Sequence, residues 1–169
     1  MDHATILEQE HLSTGDRIQW CFFGWMGVAI AVVFSNVGAA YGTAKAGVGI
    51  GSMAVTKPSM VYKSLVPVVM AGILGIYGLI VSVILIGRVK QENMNAYNGA
   101  KLLTSGLCVG LSSVAAGYAI GIIGDTGVRS NSINEGLFVG MILMMIFAEA
   151  IGLYGLIVAI ILSQVTANE

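Results

Sequence analysis

The sequence is short of charge. Only 10% of its 169 residues are Asp, Glu, Lys or Arg, where a soluble domain carries about 25%. That deficit excludes an ordinary water-soluble domain and leaves an integral membrane protein. Its formal net charge is −1, so there is no basic footprint for nucleic acid. Proline is rare, at two residues. The two cysteines, Cys21 and Cys108, sit inside apolar segments without the spacing of a metal site or a disulfide framework. They read as small packed side chains. A nucleotide loop of the G-x-x-x-x-G-K-[ST] kind is missing too. "GTAKAGVG" at Gly42–Gly49 has glycines and a lysine but ends an apolar run with no strand before it.

The apolar runs are long. Residues 18–44, 64–87 and 102–124 carry no charge, and residues 136–168 carry one, Glu149. Each exceeds the roughly 20 residues a bilayer-spanning helix needs. A membrane barrel would show short alternating segments instead. The sequence therefore predicts an all-α membrane protein with transmembrane helices at about 18–44, 62–87, 99–124 and 136–163. A polar, acidic N-terminal tail (1–17), a loop (88–98) and a C-terminal tail (164–169) complete it. The tail lacks the basic start of a signal peptide, so the first helix is expected to direct insertion. His3 and His11 in it read as solvated. Pro67, in the first turns of the second helix, is expected to kink it locally. Charge does not orient the chain. Arg17, Arg88, Lys90 and Lys101 fall on one side and Lys45, Lys57, Lys63 and Arg129 on the other.

The chain repeats. "GIYGLIV" at Gly75–Val81 returns as "GLYGLIV" at Gly152–Val158, 77 residues on, with one change. The unit is a helical hairpin, and an even number of helices per unit makes the two tandem hairpins a parallel repeat. At that offset Glu149 falls opposite Gly72. Small residues form stripes. Gly24, Gly27, Gly38 and Gly42 lie along one face of the first helix, and Gly106, Gly110, Gly117 and Gly121 along one face of the third. Such stripes let helices approach closely in lipid, either inside one bundle or in a tightly spaced inner ring. The second and fourth helices, rich in Leu, Ile, Val and Met, are expected to face lipid or a sliding partner.

Glu149 interrupts "IFAEAIGLYG" at Ile146–Gly155. It is about 20 Å from either end of its segment, near the bilayer midplane. A charge there costs at least about 3 kcal/mol, and desolvation favours the neutral acid. No basic residue lies deep in any of the four runs, so a cationic partner would belong to another chain. A sodium site would need several oxygen ligands, whereas a proton needs one carboxyl. On the second helix the polar side chain closest to Gly72 is Tyr77; Tyr77, Tyr154 and Gly72 are the candidate supports, with Ser35, Asn36, Ser112 and Ser113 at mid-membrane depth. No metal and no cofactor is implied, and the expected cargo is a proton.

These residues carry a resemblance. "GAAYGTAKAGVGI" at Gly38–Ile50, "VPVVMAGILGIYGLIVSV" at Val66–Val83, "AAGYAIGIIGDTGVR" at Ala115–Arg129 and "LFVGMILMMIFAEAIGLYGLIVAIIL" at Leu137–Leu162 resemble the 16 kDa proteolipid family of the eukaryotic vacuolar-type proton-pumping ATPase. The resemblance implies a ring with other proteolipid subunits, helices one and three inside and two and four outside. It implies that Glu149 takes a proton from one half-channel of the membrane-sector subunit a, travels through lipid as the neutral acid, and releases it near that subunit's membrane arginine. It further implies contact with central-stalk subunits such as d, an endomembrane of the vacuolar, endosomal or lysosomal type, and luminal termini. Lys57 stands where the family usually has arginine, and the proline common before the last helix is missing from "NSINEGLF". The rival readings of the same lone acid are a small proton-coupled four-helix transporter and a structural membrane bundle or pore.

Overall fold

The computed structural model describes residues 3–90 and 94–165, with the backbone alone for residues 3–14. Four long helices make up the fold: α1 (His3–Thr56), α2 (Val66–Ile86), α3 (Ala96–Ile133) and α4 (Phe138–Gln164). No strand occurs among the described residues. All four helices are long and apolar enough to cross a membrane. Of the segments expected from sequence, residues 1–2, 91–93 and 166–169 lie outside the described residues.

α1 and α3 run well past the spans expected for them, 18–44 and 99–124. A charge ends a lipid-buried run but not a helix, because Lys, Arg and Glu are good helix formers. The α3 extension has its own support: Arg129 Nε donates to Asp125 Oδ1 one turn back, at 2.7 Å. The shorter helices begin later than the sequence suggested. Residues Lys63–Leu65 form a 3-10 turn and α2 starts at Val66. Another 3-10 turn, Glu135–Leu137, precedes α4, and there the Asn134 side chain accepts from the Gly136 N–H at 3.0 Å. The sequence expects a kink at Pro67. Pro67 occupies the first turn of α2, where its missing N–H has no intrahelical acceptor to lose.

α1 and α3 make the most extensive helix pair, α2 packs mainly on α1, α4 packs mainly on α3, and α2 meets α4 more lightly. The two glycine stripes are what allows this. A Cβ on Gly38 would run into the backbone of Ser113 and Val114, and one on Gly117 into the backbone of Gly38. Gly27 and Gly106 interlock in the same way nearer the N-terminal end of α1. In lipid no hydrophobic drive pulls helices together, so close backbone contact supplies the association.

Beyond the uncharged run of α3 the same pair is clamped electrostatically. Asp125, only 8% exposed, receives Arg129 and a 3.1 Å contact from Lys45 Nζ on α1. A Cβ on Gly49 would fall 2.8 Å from the Asp125 Cα, so the close approach of α1 again requires glycine. Asp125→Asn is expected to lower stability by about 1–2 kcal/mol, because both cations remain free to turn to water. Thermal unfolding in detergent would measure it, and an unchanged midpoint would show that the clamp contributes nothing.

Candidate functional site

The second half of α4 approaches α2 and α3 through its own glycines. A Cβ on Gly155 would collide with the Ser112 side chain, and one on Gly152 would sit 2.7 Å from Leu74 Cδ2 and 3.7 Å from the Tyr77 ring. The first hairpin is built alike. Gly78 lies against Ala31 and Ser35, which stand at the repeat equivalents of Cys108 and Ser112. Each "GxYG" is therefore a docking segment: its glycines let an outer helix settle onto an inner one.

Seating α4 in this way fixes Glu149. Ala148 and Gly152 beside it are buried, while Glu149 itself is half-buried at the rim of the α2–α4 contact. The Tyr77 hydroxyl donates to Glu149 Oε1 at 3.0 Å. The Tyr77 ring is 9% exposed within the core, so the donor is held by packing. Sequence put Tyr77 among the supports only by proximity to Gly72. The structure makes it the direct partner of the carboxyl.

The other candidates are placed differently. Gly72 is exposed, and no atom of another helix, Glu149 included, lies within 4 Å of where its Cβ would be. Tyr154, the repeat equivalent of Tyr77, is 66% exposed on the outer face. Ser112 packs on Gly155 and donates to the Val109 carbonyl at 3.1 Å. Ser35 and Ser113 are fully buried, and their hydroxyls have no hydrogen-bond partner. Among the described residues no group of three or more His, Cys, Asp or Glu converges as a metal site. The residues that sequence reasoning missed are Lys45, Asp125 and Arg129. A signal was present, since Lys45 and Asp125 each bound an uncharged run and Arg129 follows Asp125 at helical spacing.

Around Glu149 the outer surface of α2 and α4 is apolar. Ile146, Phe147 and Ile151, close to it along α4, are all exposed. The arrangement places a carboxyl braced by one hydroxyl at an apolar surface, and such a group can hold a single proton.

The family model for the C subunit of ATP synthase matches the chain twice, over residues 26–85 and 103–162. Gly72 and Glu149 stand at equal distances from the start of the two matches. The 16 kDa proteolipid of the V-type proton ATPase of Nephrops norvegicus, its c subunit, is 55% identical over 148 residues, spanning 87% of this chain and 93% of that protein. The chain belongs to this proteolipid family. The human 16 kDa proteolipid of the V-type proton ATPase is 57% identical over 142 residues, 84% of this chain and 91% of its own length. The corresponding V-type proton ATPase protein of Candida tropicalis is 56% identical over 148 residues, with 88% and 92% covered. As a homologue of these proteolipids the chain is a multi-pass membrane protein. Its two family matches are the two hairpins that the repeated heptapeptide marked.

Proposed function

We propose that this chain is the proton-carrying rotor subunit of a vacuolar-type proton pump, and that Glu149 is the carrier. One observation carries the reading: a carboxyl at mid-depth of α4, at an apolar outer surface, with the Tyr77 hydroxyl as its partner. Ionised, such a group costs at least about 3 kcal/mol in the bilayer centre. It is therefore neutral while it faces lipid and gives up its proton only beside water or a cation. The four apolar runs offer no such cation, so a basic residue of a neighbouring stator, subunit a, fills that role.

A cycle follows in which one proton is bound and one released. The carboxylate takes a proton from a half-channel on one side. The neutral acid moves through lipid as a ring of proteolipid subunits turns, and the same proton leaves into the second half-channel. The chain hydrolyses nothing itself. ATP hydrolysis elsewhere in the complex drives the rotation, through central-stalk subunits such as d. Accumulation of protons in an organelle of the vacuolar, endosomal or lysosomal type is the outcome, with both termini luminal.

A hydrophobic carbodiimide tests the carrier, because it adds to a protonated carboxyl in an apolar phase. Glu149 should be labelled in preference to the other eight Asp and Glu residues, and labelling should track loss of pumping. Label spread evenly over the acidic tail would defeat the reading. Tyr77→Phe removes one neutral hydrogen bond, about 0.5–1.5 kcal/mol. It is expected to slow pumping by about two- to tenfold without reducing assembly, as measured by ATP-driven acidification of vesicles. No change in rate would show that the hydroxyl does not support the cycle.

A further inference from the structure

Charge is uneven between the two ends of the molecule. At the end that carries the α1–α2 and α3–α4 connections, four cations (Lys45, Lys57, Lys63 and Arg129) stand against two acids (Asp125 and Glu135), a net of +2. Asp125 is buried and takes both Lys45 and Arg129. One carboxylate is thus held by two cations, and one positive charge is left over. The cations are not used up. Arg129 is bound through Nε alone, and its two terminal nitrogens have no partner among the described residues. The Lys45 and Arg129 side chains are 41% and 49% exposed. The same face continues toward the membrane centre as apolar surface. Val37, Tyr41 and Lys45 follow at four-residue spacing on α1, and Tyr118, Ile122 and Arg129 at spacings of four and seven on α3, so each set shares one helix face. Val37, Tyr41, Tyr118 and Ile122 are all exposed. Tyr41 and Tyr118, repeat equivalents, stack across the pair with ring centroids 5.2 Å apart. They lie about one and two turns inside the uncharged runs that end at Lys45 and Asp125. An apolar ring with a polar tip suits that depth, the boundary of hydrocarbon and headgroups.

We propose that this face of α1 and α3 binds an anionic phospholipid, with its acyl chains along Val37 and Ile122, its glycerol region at the Tyr41–Tyr118 stack and its phosphate on Lys45 and Arg129. The proposal goes beyond the proton carrier and uses none of its residues. Three zones follow one another along a single face in the order of a lipid molecule: apolar surface, stacked tyrosines, surplus positive charge. The charge selects the headgroup. A zwitterionic lipid brings its own ammonium and gains nothing from the leftover cation, whereas an anionic one gains about fivefold in affinity for each Lys or Arg near the membrane surface. Asp125 is the anchor of the site and not its ligand. Buried behind the two cations, it fixes the Arg129 guanidinium through Nε, and the terminal nitrogens remain as a planar fork for phosphate oxygens. Holding the donors in place before the lipid arrives lowers the ordering cost of binding. The tyrosines and the apolar surface below them make the occupant a lipid and not a soluble anion, because a free phosphate would leave that surface uncovered.

The test titrates the full chain, in a neutral detergent, with dioleoylphosphatidylglycerol or with dioleoylphosphatidylcholine. Apparent affinity is read from the rise of the thermal midpoint with lipid concentration. The anionic lipid should bind about fivefold more tightly than the zwitterionic one. Lys45→Gln or Arg129→Gln removes the surplus charge and should bring the ratio to about one. Asp125→Asn leaves both cations uncompensated and should raise it to about thirtyfold. That variant keeps the proposal falsifiable if the cation variants fold poorly, since loss of the clamp alone would weaken both lipids equally. Tyr41→Ala with Tyr118→Ala should weaken both lipids and leave the ratio unchanged. Equal affinity for the two lipids would overturn the proposal. So would a preference that survives Lys45→Gln and Arg129→Gln, which would place the headgroup on Lys57 or Lys63. Glycerophosphate alone should leave the midpoint where it is. A rise matching that of the anionic lipid would mean a soluble-anion site and would overturn the docking of lipid.

Discussion

Glu149→Gln is expected to abolish proton transport while leaving the chain folded and assembled. The substitution changes one property. Glutamine keeps the length of the side chain and an oxygen in the place of Oε1, so the Tyr77 hydroxyl still has its acceptor at 3.0 Å. The neighbours that seat α4, Gly152 on Leu74 and Gly155 on Ser112, are untouched. What disappears is the ability to bind and release a proton, and no second acid lies deep in any of the four apolar runs to replace it. The expected effect is therefore loss of pumping to background, not a graded decrease. The check is ATP-dependent acidification of vesicles alongside the amount of the chain recovered in the assembled complex. Acidification at the normal rate would end the carrier reading. Loss of assembly together with pumping would instead favour a structural role, a protonated acid tying α4 to α2.

The contrast between Tyr77 and Tyr154 marks the limit of what the sequence could tell. They occupy the same place in nearly identical heptapeptides, yet one is buried on Glu149 and the other lies two-thirds exposed. Local sequence sets the helix and the glycines that let it dock. It cannot say which copy is the inner neighbour of which, since that is decided by the order of two fused hairpins. The spans and the lone carboxylate were legible for a simpler reason. Both are statements about solvation, and solvation is written residue by residue. Helix length was not, because backbone hydrogen bonding continues past the charges that end a lipid-facing run. The Lys45–Asp125–Arg129 clamp was hidden by sequence distance, although its α3 half had the i, i+4 signature. The glycine stripes were visible but ambiguous between one bundle and a ring. The structure puts their glycine faces together within the chain.

Gly38→Val is expected to prevent stable assembly of the four helices, the second large effect. Gly38 is buried at the α1–α3 crossing, and its missing Cβ would fall on the Ser113 carbonyl and the Val114 Cα. These are backbone atoms in a helix, so they cannot turn aside as a flexible side chain could. The Gly117 Cα stands in the same crossing from the other side. Relief requires α1 and α3 to separate, and that also lifts the Gly27–Gly106 contact and pulls Lys45 from Asp125. The cost is about 3 kcal/mol or more, against a total stability of about 5–15 kcal/mol for a typical protein. Because α2 is packed mainly on α1 and α4 mainly on α3, separation of the inner pair also moves Tyr77 relative to Glu149, and pumping should fall with assembly. Gly140→Val is the matched control, because nothing lies within 4 Å of a Cβ there. The measurement is the yield and thermal midpoint of the chain in detergent for the two variants side by side. Equal yields and midpoints would mean that α1 and α3 do not depend on backbone contact, and the stripe would then be no more than lipid-facing filler.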